Sequence, residues 1–155
     1  MRKLESIEVS TGETTIYLTR SGNGAPLLLL HGFPETHLMW QDVESILSEN
    51  FTVICPDLRG YGRSGCPPSD TEHLPYSKRA MANDMIVVMK HLGFSQFMVG
   101  GHDRGARVAY RLALDHADKI TRLAVLDIVP TSDVWDNADM RLTTDFWPWW
   151  ISLNS

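Results

Sequence analysis

The sequence predicts an α/β protein: a mostly parallel sheet with helices on both faces. Three observations carry this. Short apolar runs alternate with stretches of helical period between Leu27 and Leu126. Two β-branched runs near the start add an antiparallel pair. Finally, an apolar run from Phe97 to Val99 breaks at two glycines and passes directly into a helical pattern, which is a strand, a sharp turn and a helix.

Taken in order, Ser6 to Ser10 and Thr14 to Thr19 alternate and join through Thr11-Gly12-Glu13, as a hairpin does. Ser21-Gly22-Asn23-Gly24 is a turn. Leu27 to Leu30 is a four-leucine run, consistent with a strand buried on both faces. Thr36 suits the N-cap of a helix through Trp40, Val43 and Leu47. Phe51 to Cys55 is a second buried strand, and Pro56 to Pro68 a glycine-rich loop. From Ser77 to Leu92 the apolar residues Met81, Met85, Val88, Met89 and Leu92 share one helical face, and Gly93 ends the helix. A helix from Ala106 to about His116 succeeds the Phe97 strand, and Thr121 to Leu126 is the next strand. Beyond Pro130 the pattern turns to Trp and Asp with no clear period.

Bulk properties narrow the function. The chain has 155 residues, 43% of them apolar and 21% charged, as expected of one modest globular domain. Its formal charge of -5 leaves no electrostatic footprint for nucleic acid. No apolar run approaches the roughly 18 residues of a membrane span. Met1-Arg2-Lys3-Leu4-Glu5 lacks the apolar core of a signal peptide. Cys55 and Cys66 have no metal-ligand spacing, so reduced thiols and a cytoplasmic location are expected, with no metal.

The chemistry centres on Gly101-His102-Asp103-Arg104-Gly105, a glycine-flanked elbow with a carboxylate at its tip. Side chains at the two glycine positions would collide across so tight a turn. An ionised carboxylate can attack an sp³ carbon and displace a leaving group, forming an alkyl ester on the protein. The bland alternatives for Asp103 are a surface residue in a glycine turn or an N-cap. Arg104 and Arg107 share one side of the next helix's first turn, where cations oppose the macrodipole. That misfit points to a partner anion: a substrate carboxylate gripped bidentately, or a structural ion pair to a nearby Asp or Glu.

Four segments together resemble the first half of an α/β-hydrolase: His31-Gly32-Phe33-Pro34-Glu35, Asp57-Leu58-Arg59-Gly60-Tyr61-Gly62-Arg63-Ser64, Gly101 to Arg107, and Leu126-Asp127-Ile128-Val129-Pro130. The chain looks most similar to haloacetate (fluoroacetate) dehalogenases, with soluble epoxide hydrolases next. The resemblance implies an α/β-hydrolase-type sheet that stops before the cap and the last strands. Residues 1–135 would form the first part of the core and 136–155 the start of the cap. It implies Asp103 as nucleophile, and Arg104 and Arg107 as the clamp for a substrate carboxylate. The backbone N–H groups of Phe33 and Arg104 would form an oxyanion hole. Asp127 would be the acid that orients a catalytic His. The Asp57 to Ser64 turn reads as structural.

Two departures matter. Trp147, Trp149 and Trp150 lie where the family begins its helical cap. There a His-Trp pair holds the departing halide, but this chain has Pro148-Trp149, so Trp149 alone can donate an indole N–H. The family's general base is a His far down a chain about twice this long. None of His31, His37, His73, His91, His102 or His116 matches it, and the His31 and His102 side chains are expected to point elsewhere. The implied function is hydrolysis of a carbon–halogen bond in a short haloacid, without a cofactor, with turnover dependent on a supplied His. Epoxide hydrolysis is the first alternative, although epoxide hydrolases usually carry Trp where Arg104 stands. The second is a non-catalytic remnant whose open sheet edge makes it an oligomer or partner-binding module. The expected partners are accordingly a small-molecule substrate and either a homo-oligomer or a missing C-terminal half, not nucleic acid or membrane.

Overall fold

The computed structural model of the chain describes residues 4–129. The boundary expected at 135 and the expected start of a cap, Trp149 included, lie outside the described residues.

Strands β1 (Glu5–Ser10) and β2 (Thr15–Ser21) form the expected hairpin, with Ser10 opposite Thr15. Among the described residues β3 (Ala25–Leu30), β4 (Phe51–Pro56), β5 (Phe97–His102) and β6 (Ile120–Leu126) join them in a six-stranded sheet in the order β1-β2-β4-β3-β5-β6. β3 pairs parallel with both β4 and β5, and β5 pairs parallel with β6. The chain therefore steps to one side of β3 and then crosses to the other. Between the ends of β3 and β5 lies a topological switch point, where open α/β sheets take their ligands.

Helices cover both faces, as predicted. Thr36 does cap, its hydroxyl accepting from the Leu38 N–H at 3.4 Å, but the helix it opens is broken in two. A 3-10 turn, His37–Trp40, leads into α1 (Gln41–Leu47). α2 (Lys78–His91) is capped by the Ser77 hydroxyl on the Ala80 N–H at 3.2 Å and ends before Gly93, at φ 85°. α3 (Arg104–Asp115) begins two residues earlier than the apolar pattern suggests, because the elbow turns straight into helix with no intervening loop.

The two-faced burial of β3 divides the core. Leu28 and Leu30 face Met85, Val88 and Met89 of α2 and Val108 and Leu112 of α3. Leu29 faces Trp40, Val53 and Cys55 on the α1 side. On that second side the described residues cover the sheet only partly: among them an apolar groove of about 360 Å³ opens beside Leu27, Met98 and Leu123. Among the described residues β6 pairs on one edge only, and Leu123, Val125 and Leu126 are exposed.

Candidate active site

The elbow is built by crowding. A Cβ on Gly101 would run into the Gly105 carbonyl, and one on Gly105 into the carbonyls of Leu30 and His31. Only glycine lets β5, α3 and the end of β3 approach so closely. Asp103, between them, adopts φ 48° and ψ -115°, a conformation that is costly for a side-chain-bearing residue and held by its surroundings. Its N–H donates to the Leu126 carbonyl at 3.2 Å, tying the elbow to the end of β6.

Asp103 does not cap its own helix. Its Oδ1 instead accepts from the backbone N–H of Phe33 at 2.8 Å. The Phe33 loop is held in turn by two buried side chains. His31 accepts the Leu58 N–H on Nε2 at 2.9 Å, so its Nδ1 carries the proton and donates to the Gly32 carbonyl at 2.8 Å. Burial keeps this imidazole below its ordinary titration range and hence neutral. Asp57, fully buried, accepts from His37 N and His37 Nδ1, both at 2.7 Å, and from Arg63 N at 2.9 Å. The Asp57 to Ser64 segment is thus structural, as expected: it anchors the loop that presents Phe33.

Arg104 and Arg107 are both half-buried beside the elbow. The Arg104 guanidinium lies over the exposed Phe33 ring, 5.3 Å from its centroid. Burial pushes the Arg107 guanidinium down from its ordinary value, against the pull of Asp103. The Arg104 N–H opens α3 and points along the helix axis with no intrahelical acceptor. Asp127, with φ 57°, stands at the end of β6 on the same sheet edge.

Three residues at the site were not apparent from the sequence. His31 points into the protein, away from Asp103, but His102 does not point elsewhere. Its Nδ1 lies 3.2 Å from Glu35 Oε2 and its Nε2 lies 3.6 Å from Asp127 Oδ2. Glu35 also accepts from the Gly32 N–H at 3.2 Å. The third is Lys78, which opens α2 beside Arg104, Arg107 and Asp103. A cation at a helix N-terminus was its only trace in the sequence, the same misfit that singled out Arg104. Among the described residues no group of three or more His, Cys, Asp or Glu is arranged to hold a metal ion. No helix among them is long and apolar enough to cross a membrane.

This architecture has close counterparts. Residues 25–151 match the family model described as alpha/beta hydrolase fold. A fluoroacetate dehalogenase from Burkholderia sp. is 46% identical over 92% of this chain and 47% of its own length. A soluble epoxide hydrolase from Corynebacterium sp. (strain C12) is 44% identical over 74% of this chain and 38% of its own. A solved alpha/beta hydrolase structure from Nostoc sp. PCC 7120 superposes with a TM-score of 0.93 at 50% identity, over 96% of this chain and 51% of that one. The chain therefore spans about half the length of the proteins it matches. On the family match and these identities, the chain belongs to the α/β-hydrolase family.

Proposed function

We propose that the chain carries the nucleophilic half of a haloacetate dehalogenase-type hydrolase. The observation that carries this is the pairing of an elbow carboxylate, Asp103, with two arginines in the helix turn behind it. The likeness to a fluoroacetate dehalogenase supports the same reading. The substrate is a short 2-haloacid, its carboxylate gripped by Arg104 and Arg107 so that the halogen-bearing carbon faces Asp103.

The hydrogen bond from Phe33 occupies Oδ1 and leaves Oδ2 as the attacking oxygen. Oδ2 displaces the halide from the sp³ carbon. The C–halogen electron pair leaves with the halide, and a neutral alkyl ester forms on Asp103. Water then attacks the ester carbonyl carbon. The Phe33 and Arg104 N–H groups stabilise the resulting oxyanion, and collapse releases a 2-hydroxyacid. That second step needs a general base. In the enzymes this chain resembles, the base is a His beyond the half matched here, and in this reading Asp127 is the acid that orients it.

Epoxide opening by the same Asp103 is the second reading, favoured by the 44% identity to a soluble epoxide hydrolase. Arg104 argues against it, because a neutral epoxide offers no partner for a half-buried guanidinium. Halide release from bromoacetate, measured against consumption of styrene oxide, separates the two. The dehalogenase reading predicts a single burst of about one halide per chain and no epoxide turnover. A burst of about one epoxide opened per chain, with no halide release from bromoacetate, would reverse the assignment. A protein inert to both electrophiles, and unaffected by Asp103→Asn, would indicate a non-catalytic binding module.

A further inference from the structure

We propose that Lys78 is a specificity-determining residue for anionic substrates at this site, its ammonium joining Arg104 and Arg107 in a three-cation face beside the Asp103 carboxylate. The inference rests on the reading of Asp103 as a nucleophile toward haloacids. Its basis is where the fold puts the residue. α2 and α3 both begin at the carboxyl edge of the sheet and pack against one another. Their first turns therefore lie at the same edge, which brings Lys78 within electrostatic reach of Arg104, Arg107 and Asp103. Lys78 is half-buried, although a lysine at that end of a helix is free to reach water. It also sits where the macrodipole disfavours a cation.

Among the described residues the charges that face Lys78 are Arg104 and Arg107 from α3 and Asp103 from the elbow. Its helix neighbour Arg79 is turned away, paired with Asp115 at 3.0 Å. Among the described residues Lys78 makes no ion pair and no side-chain hydrogen bond. Burial first, then repulsion from Arg104 and Arg107, push its ammonium down to about 8 against the opposing pull of Asp103. A half-buried ammonium with no ion-pair partner among the described residues gains when an anion is bound beside it. Lys78 thus adds attraction that a carboxylate-bearing substrate uses and a neutral electrophile does not. Its deprotonation above pH 8 removes that attraction.

The test is single-turnover alkylation of the 155-residue protein by bromoacetate, with intact mass as the readout. Half-saturating concentration and maximal rate are read separately. Lys78→Gln should raise the half-saturating bromoacetate concentration roughly tenfold, the scale of one charge-assisted contact, with the maximal rate little changed. Lys78→Arg should restore it. Alkylation by neutral bromoacetamide should be unaffected, as should the bromoacetate response of Lys90→Gln, which removes the same charge at the far end of α2. In the unsubstituted protein the half-saturating concentration should rise above pH 8, a limb that the charge-conserving Lys78→Arg lacks. Equal half-saturation in Lys78→Gln, equal losses toward bromoacetamide, or a flat pH response would each overturn the inference. If the unsubstituted protein is not alkylated at all, the nucleophile reading fails. Acetate, which has no leaving group, then still decides the role of Lys78 by NMR titration of the α3 amides. Affinity several-fold weaker in Lys78→Gln upholds it, and equal affinity overturns it.

Discussion

The backbone N–H of Phe33 donates to Asp103 Oδ1 at 2.8 Å, joining the loop after β3 to the elbow after β5 across 70 residues of chain. This bond fixes which carboxylate oxygen is free. It also requires the two loops to meet at near-contact distance, and Gly32 sets that distance.

A methyl group at Gly32 would stand 2.7 Å from Asp103 Cβ and 2.9 Å from its Oδ1. Gly32→Ala must therefore push the elbow away from Phe33. Overpacking of this kind costs about 1–3 kcal/mol, and misplacing an attacking atom by about an ångström costs on the order of 100-fold in rate. Urea unfolding and the alkylation rate should show both losses; an unchanged alkylation rate would mean that the Phe33 contact does not position Asp103.

His31 supplies a pH dependence with a definite sign. Burial places its folded-state titration below the ordinary 6.5, so above that pH both folded and unfolded forms are neutral and nothing is lost. Below pH 6.5 the unfolded chain takes up a proton first, and stability falls. His31→Ala should remove this dependence. It should also cost about 2–4 kcal/mol, because the Leu58 N–H and Gly32 carbonyl lose their partner. Denaturant midpoints between pH 5 and 8 check both.

Arg59 and Asp84 form a buried pair that ties the loop after β4 to α2. Nε donates to Oδ2 at 2.6 Å and a terminal nitrogen to Oδ1 at 2.7 Å, with both side chains almost wholly inaccessible. Removing one partner strands the other charge, so Asp84→Ala should destabilise by about 3–5 kcal/mol. Because α2 carries Lys78 to the site, the variant's substrate response should loosen as well, readable as a raised half-saturating bromoacetate concentration.

Lys78 should show the opposite trade. Its ammonium, held at about 8 against an ordinary 10.5, is disfavoured by folding. The cost is full below pH 8 and is relieved as pH rises toward 10.5, because across that window the unfolded chain binds more protons. Lys78→Met should therefore be more stable than the parent at pH 7, by about 1–2 kcal/mol, with the gap closing toward pH 10. Urea midpoints at the two pH values test this. A variant less stable at pH 7 would mean that the lysine is a structural element.

Much of this was legible in the sequence because it is local. The four leucines of β3, the Met-Val face of α2 and the glycine spacing of the elbow each announce their element through period or crowding. Asp103, Arg104 and Arg107 stand out for the same reason, being neighbours along the chain. The hidden features depend on packing. That Thr36 caps a 3-10 turn rather than a continuous helix reflects how Trp40 is drawn under β3 and β4. The position of the His102 ring between Glu35 and Asp127 requires the β3, β5 and β6 ends to be in register. Lys78 reaches the site only because α2 and α3 start side by side, 26 positions apart in sequence.

The central claim is that the Asp103 carboxylate is an alkylatable nucleophile. Peptide mapping after incubation with bromoacetate measures it directly. The expected result is one carboxymethyl group, located on Asp103 and absent from Asp103→Asn. Adducts found only on Cys66, His or Lys, or unchanged labelling in Asp103→Asn, would contradict it.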